Sequence, residues 1–207
     1  MKSTRHNAYS IFFHWAGALL LLAVVLSGEL RHWIVDTGVA PMRTLMVIHI
    51  GAGMAGLSLV LPRLLARLFG YHPPPAGVNR LDQWLVKGLH CMLYALLIVE
   101  PLIGWVIVNA KDFAIPMPLL GFEFPRLVAA NHDLVASMAL LHAILSRVFY
   151  ALITLHASAA LWHHYVKKDD VLCRMTWLQS PPPDSLSLRP VSHYRQLIRR
   201  HKHLPNA

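Results

Sequence analysis

The sequence predicts an all-α membrane protein, a bundle of four transmembrane helices. Of its 207 residues, 56% are hydrophobic and only 14% are charged, a composition too apolar for an ordinary soluble domain. A spanning helix needs about 20 mostly apolar residues, and four stretches of the chain meet this requirement. The net charge of +9 could indicate a nucleic-acid-binding protein. However, the basic residues cluster at the ends of the apolar runs, which is typical of membrane topology, so no nucleic acid partner is expected.

The first helix is predicted over residues 10–30. Basic residues precede this run, as in a signal peptide, but "VVLSGELRHW" lacks an A-x-A cleavage site, and His14 and Trp15 interrupt the start of the run. We therefore expect a retained helix. The second helix is predicted over residues 43–65 and the third over residues 83–109, and the sequence "YHPPPAG" between them indicates a rigid turn.

The fourth predicted helix, residues 134–165, is long enough to protrude from the bilayer. We expect the four-helix domain to cover residues 1–175. Residues 176–207 form a basic tail that starts with "SPPPDSLSLRP" and has no core pattern, so it is expected to be mobile or to lie on anionic lipid. Cys91 and Cys173 form no C-x-x-C-H motif, which argues against a covalently attached haem.

Lysine and arginine are distributed unequally between the two ends of the predicted bundle. The N-terminus, the C-terminal segment and the connection between helices two and three hold most of them, and those of the connection are Arg63, Arg67, Arg80 and Lys87. The opposite connections hold Arg31, Arg43, Lys111 and Arg126. By the positive-inside rule, both termini are expected in the cytoplasm. We call the end of the bundle at which the first helix begins the inner end, and the opposite end the outer end.

Four histidines fall inside the predicted spans at two depths. His142 and His156 are 14 residues apart, an advance of about 21 Å and nearly four turns, so they share one face near opposite edges of the hydrocarbon layer. His14 lies at the inner level and His49 at the outer level. The levels match in pairs, His14 with His156 and His49 with His142. Two such pairs of neutral imidazoles are what bis-histidine ligation of two b-type haems requires.

Small residues accompany these histidines, namely Gly17, Gly51, Gly53, Gly56 and the segment 157–160. They leave room for a flat ring, but small residues also let bare transmembrane helices approach each other. A lone histidine in the membrane can likewise be a hydrogen-bonded contact between helices. Four histidines at two matched depths favour haem ligation over these alternatives.

Several stretches resemble the bacterial cytochrome b561 family of dihaem membrane proteins, including its superoxide-oxidising members. They are "YSIFFHW", "GELR", "VIHIGAGM", "HCMLYALLIVEPLIGW" and "LHASAALWHHYVKKDDVLCRM", within residues 8 to about 175. The resemblance implies that His14, His49, His142 and His156 are the axial ligands of two non-covalent b haems. It also implies electron exchange with ubiquinone and a place in the bacterial inner membrane.

Two further histidines are not assigned by ligation. His90 lies near the inner end of the third helix, and His163 follows His156 by seven positions, on about the same face. Both can hydrogen-bond a haem propionate or a quinone carbonyl. Both can also be interfacial histidines with ordinary solvation.

We therefore expect an oxidoreductase that moves single electrons across the membrane between the ubiquinone pool and an outer-side donor. The resemblance suggests superoxide as this donor. Acidic residues balance the basic ones in the outer connections, so the net charge there does not attract an anion, although a local cluster around Arg31 can. One alternative is a haem-carrying membrane subunit that binds a partner dehydrogenase or hydrogenase. Another is a histidine-lined metal transporter, which would show no haem absorption.

Two charged residues lie inside the predicted hydrocarbon layer, Glu100 in helix three and Arg147 in helix four. An unpaired charge is costly there, and their Cα levels differ by only about 6 Å, which a long arginine side chain can span. We therefore predict a structural ion pair between Glu100 and Arg147, with Arg147 facing away from the haem and a haem propionate as its rival partner. The family pattern has uncharged residues at both positions, so this pair is a departure from it.

Overall fold

Four long helices dominate the computed structural model, which describes residues 7–34, 39–69, 80–117, 121–168 and 171–176. They are α1 (Ala8–Trp33), α2 (Val39–Phe69), α3 (Arg80–Ala110) and α4 (His132–Trp162). Each is long and apolar enough to cross a bilayer, which confirms the predicted fold class. The orientation of the termini stays a prediction, and the "YHPPPAG" turn and residues 177–207 of the predicted tail lie outside the described residues.

The helices α1, α2 and α3 extend a few residues beyond the apolar runs that predicted them at one or both ends, and α4 begins two residues before its run. Asn7 caps α1, where its side chain accepts a hydrogen bond of 2.7 Å from the backbone N–H of Ser10. Asp82 lies in the first turn of α3 and Arg67 in the last turn of α2, where each charge is favourable to the helix dipole. Capping and terminal charges therefore stabilise helical turns beyond the hydrocarbon layer. These turns have no apolar pattern from which the sequence could predict them.

Large apolar side chains point outward along all four helices. Leu19, Leu61 and Leu140 are 66%, 64% and 63% exposed, whereas Ser27, Glu100 and Asn109 are buried. This is the inverse of the distribution in a soluble domain. It is the distribution that lipid favours, because apolar groups can face hydrocarbon and polar groups must find partners inside the bundle.

The helices form two hairpins that meet along one seam. Within the described residues, α1 packs along α2, α3 packs along α4, and α2 contacts α3. By contrast, in this described part of the chain α4 is not closely packed against either α1 or α2. The hairpins therefore enclose a space between them instead of a tightly packed helical core.

The outer connection between α3 and α4 is held by Asn109, the last residue but one of α3. This side chain is fully buried, donates to the carbonyl oxygen of Phe113 (3.1 Å) and accepts from the backbone N–H of Leu127 (2.9 Å). Two short antiparallel strands, β1 (Pro116–Met117) and β2 (Phe122–Glu123), pair within the connection. Side-chain and backbone hydrogen bonds thus fix this segment against the end of the bundle.

Replacing Asn109 by alanine is expected to loosen the outer connection. Two backbone groups lose their buried partner, which should lower the free energy of unfolding by about 2 kcal/mol. Thermal melts in detergent measure this loss, with Asn131→Ala as the control. Asn131 caps α4 through the N–H of Leu134 but is exposed, so its loss should be only about 1 kcal/mol. Equal losses in the two variants would show that Asn109 does not hold the connection.

Candidate cofactor site

A cavity of about 970 Å³ lies between the two hairpins and is lined by all four helices. This volume is at the upper end of the range of cofactor sites, roughly 300–1,000 Å³. His49 and His142 are part of its wall, as are Gly53 and Gly56. A Cβ atom added at either glycine would meet no atom within 4 Å. The space beside α2 is therefore open to a large, flat group.

The outer histidine pair faces across this cavity. The ring centroids of His49 on α2 and His142 on α4 are 6.3 Å apart, and their planes are at 83°. Two imidazoles that bind one metal ion from opposite sides, with metal–nitrogen bonds of about 2 Å, have centroids about 6 Å apart. Nδ1 of His49 lies 2.9 Å from the carbonyl oxygen of Val24. This acceptor keeps the proton on Nδ1 and leaves Nε2 available as a ligand atom.

His142 has a different neighbour, the carboxylate of Glu100 on α3. Its Nδ1 lies 2.8 Å from Glu100 Oε2, and the hydroxyl of Ser146 donates to the same oxygen at 3.0 Å. Glu100 is only 7% exposed. Its partners are therefore two side chains from one face of α4, since residues four positions apart are neighbours on a helix.

The predicted ion pair between Glu100 and Arg147 is wrong. Arg147 is exposed and makes no ion pair with Glu100. It lies one residue past Ser146 and thus about 100° around the helix from the face that meets Glu100. The expectation that Arg147 faces away from the haem site does not hold either, because Arg147 lines the same cavity as His142. Matching the depths of two residues was not sufficient to identify a contact.

The inner histidine pair has the same separation as the outer one. The ring centroids of His14 on α1 and His156 on α4 are 6.3 Å apart, with planes at 64°. Nη2 of Arg63 lies 2.9 Å from Nδ1 of His14. Because arginine only donates, this contact places the ring proton on Nε2. Ligation through Nε2 needs the opposite tautomer, so His14 fits a metal ion by position and requires Arg63 to withdraw.

Arg63 was missed by the sequence analysis, which assigned it to the inner connection. The structure places it inside α2, with its guanidinium 5.3 Å from the centre of the Tyr94 ring. A Cβ at Gly17 would lie 3.1 Å from Arg63 Nη1, so this glycine makes room for the guanidinium. A signal was available, since Arg63 follows His49 by 14 residues, the spacing that puts His142 and His156 on one face.

His90 lies beside the inner pair. Its ring centroid is 5.2 Å from that of His156, and its Nδ1 is 2.7 Å from the carbonyl oxygen of Val86. The carbonyl keeps the proton on Nδ1, so Nε2 of His90 is an acceptor. His163 is half-buried and begins the π-helical turn His163–Lys167 at the inner end of α4. The structure thus groups His90 with His14 and His156.

The chain is similar to known proteins over most of its length. The family described as prokaryotic cytochrome b561 matches residues 5–177. The chain is 35% identical over 180 residues to the probable superoxide oxidase CybB of Yersinia pestis, which covers 82% of this chain and 96% of that protein. It is 29% identical over 176 residues to cytochrome b561 homolog 1 of Escherichia coli K12, covering 83% and 96%. It is 30% identical over 173 residues to cytochrome b562 of Cereibacter sphaeroides, covering 82% and 94%.

Filling the cavity from α2 is expected to displace the bound group. Gly53 lies one turn from His49 and lines the cavity, so Gly53→Leu should lower the haem absorbance per protein several-fold. Gly88→Leu is the matched control, because Gly88 also has no atom within 4 Å of an added Cβ but does not line the cavity. Absorption spectra of the purified variants measure the effect. Unchanged haem content in Gly53→Leu would place the cofactor elsewhere.

Proposed function

The chain belongs to the prokaryotic cytochrome b561 family, and from that premise we propose that it binds two haems and carries single electrons across the membrane. Membership itself makes it a membrane b-type cytochrome of electron transfer. The observation that supports two haems is the separation of 6.3 Å within each of two histidine pairs, one at each level of the bundle. The proposed location is the bacterial inner membrane, with both termini in the cytoplasm.

The proposed axial ligands are His49 and His142 for the outer haem and His14 and His156 for the inner one. Haem b supplies the one-electron chemistry when bound. The chain contributes the ring orientation, through acceptors such as the Val24 carbonyl at His49, and a surrounding of low polarity. Along α4 the two levels are separated by about 21 Å, so together they span most of the hydrocarbon layer.

Ubiquinone is the proposed electron acceptor at the inner end. His90 supports this assignment, because its Nε2 is an acceptor beside His156 and can bond a quinol hydroxyl. Full reduction of a quinone takes two electrons and two protons, and the inner end can supply the protons from the cytoplasm. His163, at the end of α4, is the second proposed residue of this pocket. A haem propionate is the other group that either histidine can bind, and for His90 this requires a proton on Nε2 as well, because the carboxylate only accepts.

Superoxide is the proposed donor at the outer end. Each superoxide would give up one electron and leave as O₂, and two such electrons reduce one quinone. Arg31, Lys111 and Arg147 line the cavity beside the outer pair, where they outnumber Glu29 and Glu100 of the same wall, and can attract an anion. Arg126 is less available, because it is paired with Asp112, whose hydrogen bond raises the pKa of the Arg126 guanidinium. A local positive patch can therefore act although the outer connections have no net positive charge.

Histidine variants test the haem assignment. His49→Ala and His142→Ala should each lose the outer haem, and His14→Ala and His156→Ala the inner one, because a single remaining imidazole leaves one axial position open. Haem per protein, measured by absorbance and protein mass, should fall from two to about one in each variant. His132→Ala, an exposed position at the start of α4, should keep both haems.

Haem content also decides between His14 and His90 as the partner of His156. If His14→Ala keeps two haems while His90→Ala loses one, the ligand is His90 instead of His14. If all four ligand variants keep two low-spin haems, the assignment is refuted. If the wild-type protein has no haem absorption, the proposed function itself fails.

Variants of the inner histidines test the quinone pocket. His90→Ala and His163→Ala should each slow the oxidation of the reduced haems by a soluble ubiquinone analogue about tenfold or more, as removal of a positioned acid–base group does. Their haem content should stay at the wild-type level. Stopped-flow spectroscopy gives the rates, with His132→Ala as the control. Wild-type rates in the double variant would move the quinone pocket away from these residues.

A further inference from the structure

Glu100 has no place in the ligation or the quinone chemistry, yet it is the buried acidic residue nearest to a proposed ligand. We propose that it is a positioning residue for His142, fixing the tautomer of this ligand and lowering the midpoint potential of the outer haem. The inference rests on the proposed function, since it concerns a haem held by His49 and His142. Its consequence is directional: an electron that enters at the outer haem is passed on to the inner haem.

The contacts of Glu100 define which way the proton is shared. The Ser146 hydroxyl donates to Oε2, which also lies 2.8 Å from Nδ1 of His142. If Glu100 were the donor to Nδ1, the ring would carry its proton on Nε2 and could not bind a metal ion there. A ligating His142 therefore requires Glu100 to accept from Nδ1. Ser146 supports this role, because a hydroxyl that donates to the carboxylate stabilises its charge.

Two buried atoms at this contact still lack an aligned hydrogen bond. They are Nδ1 of His142, whose N–H does not point along the line to Oε2, and Oε1 of Glu100. Buried polar atoms of this kind are costly and require an explanation. A rotation of the imidazole ring aligns Nδ1–H with the carboxylate. The two atoms are thus already placed for a hydrogen bond from Nδ1 of His142 to Glu100, the kind of bond that supports a metal ligand.

The ligands of the outer pair therefore have unequal partners. Nδ1 of His49 bonds a neutral backbone carbonyl, whereas Nδ1 of His142 faces a carboxylate. A carboxylate makes the imidazole a stronger electron donor to its metal. In a medium of low dielectric constant, its negative charge also favours the more positive, oxidised state of the iron. Among the described residues no Lys or Arg forms an ion pair with Glu100, so no cation in contact with it neutralises this charge.

The inner pair has a neighbour of opposite charge. Arg63 lies beside His14. Ligation requires its guanidinium to leave Nδ1 of His14, but Arg63 stays at this level of α2, and its positive charge favours the reduced state of a haem there by the same argument. The anion beside the outer pair and the cation beside the inner pair act in the same sense. Both make the electron more stable at the inner haem, the side from which the proposed quinone would be reduced.

The experiment is a redox titration of variants in a His14→Ala background. This background should retain only the outer haem, so that each measured shift in midpoint potential belongs to that haem. Glu100→Gln should raise its midpoint potential, because the charge is lost while the size of the side chain is kept. Glu100→Asp, which keeps the charge, should restore a potential close to that of the parent. Ser146→Ala should move it the opposite way, to a lower potential, because the carboxylate loses a donor that partly neutralises it. Glu29→Gln, which removes an exposed charge from the same cavity wall, is the matched control and should shift it least.

The outcomes separate this inference from the proposed function. A wild-type protein without two haems refutes the proposed function and this inference with it. Two haems in the wild type, together with no potential shift in Glu100→Gln beyond that of Glu29→Gln, refutes the inference alone. If Glu100→Gln does not fold, Ser146→Ala still decides, because an unchanged or raised potential in that variant contradicts the role of Glu100.

Discussion

The separation between the two helical hairpins is the constraint on which the rest of the structure depends. Lipid gives helices no hydrophobic reason to associate, so their packing relies on van der Waals contact and hydrogen bonds. In the described part, side chains reach across from α4 to α1 and α2, but the helices themselves are not closely packed, and the open space at Gly53 and Gly56 widens the gap. A group that fills this gap supplies the missing contacts. Any ligand that binds only the folded state also stabilises it, so cofactor content and bundle stability should rise and fall together.

Identical ligands can be tuned by different neighbours, and three of the four histidines illustrate this. At Nδ1, His49 meets a neutral carbonyl, His142 a carboxylate and His14 a guanidinium. The imidazole itself is the same in each case. The electrostatic difference between the two levels of the bundle therefore resides in the residues that contact the proposed ligands.

Length and hydropathy were sufficient to predict the four helices, because a bilayer demands about 20 apolar residues whatever else they do. The depth of each histidine along its helix also predicted the two pairs that are adjacent in the structure. Depth alone failed for Glu100, because a contact depends on rotation about the helix axis as well, and His142 and Ser146 share the face that meets it while Arg147 does not. Arg63 was missed for a different reason. The sequence analysis placed Arg63 in the inner connection, because arginine is common at the membrane surface. In the structure its side chain instead points into the bundle, toward His14 and Tyr94.

The outer connection also bears on how molecules reach the site. Lys111 and Ile115, on this segment, line the cavity, and the segment is bound to α3 through Asn109 and through the bond from Asn131 N–H to the Ala110 carbonyl. Moving it aside would break several hydrogen bonds, two of which are made by the fully buried side chain of Asn109. The described part of this connection is therefore held against α3 once the chain has folded. If the proposed donor enters at this end, a connection held in this way would favour a small diffusing anion over a docked protein domain.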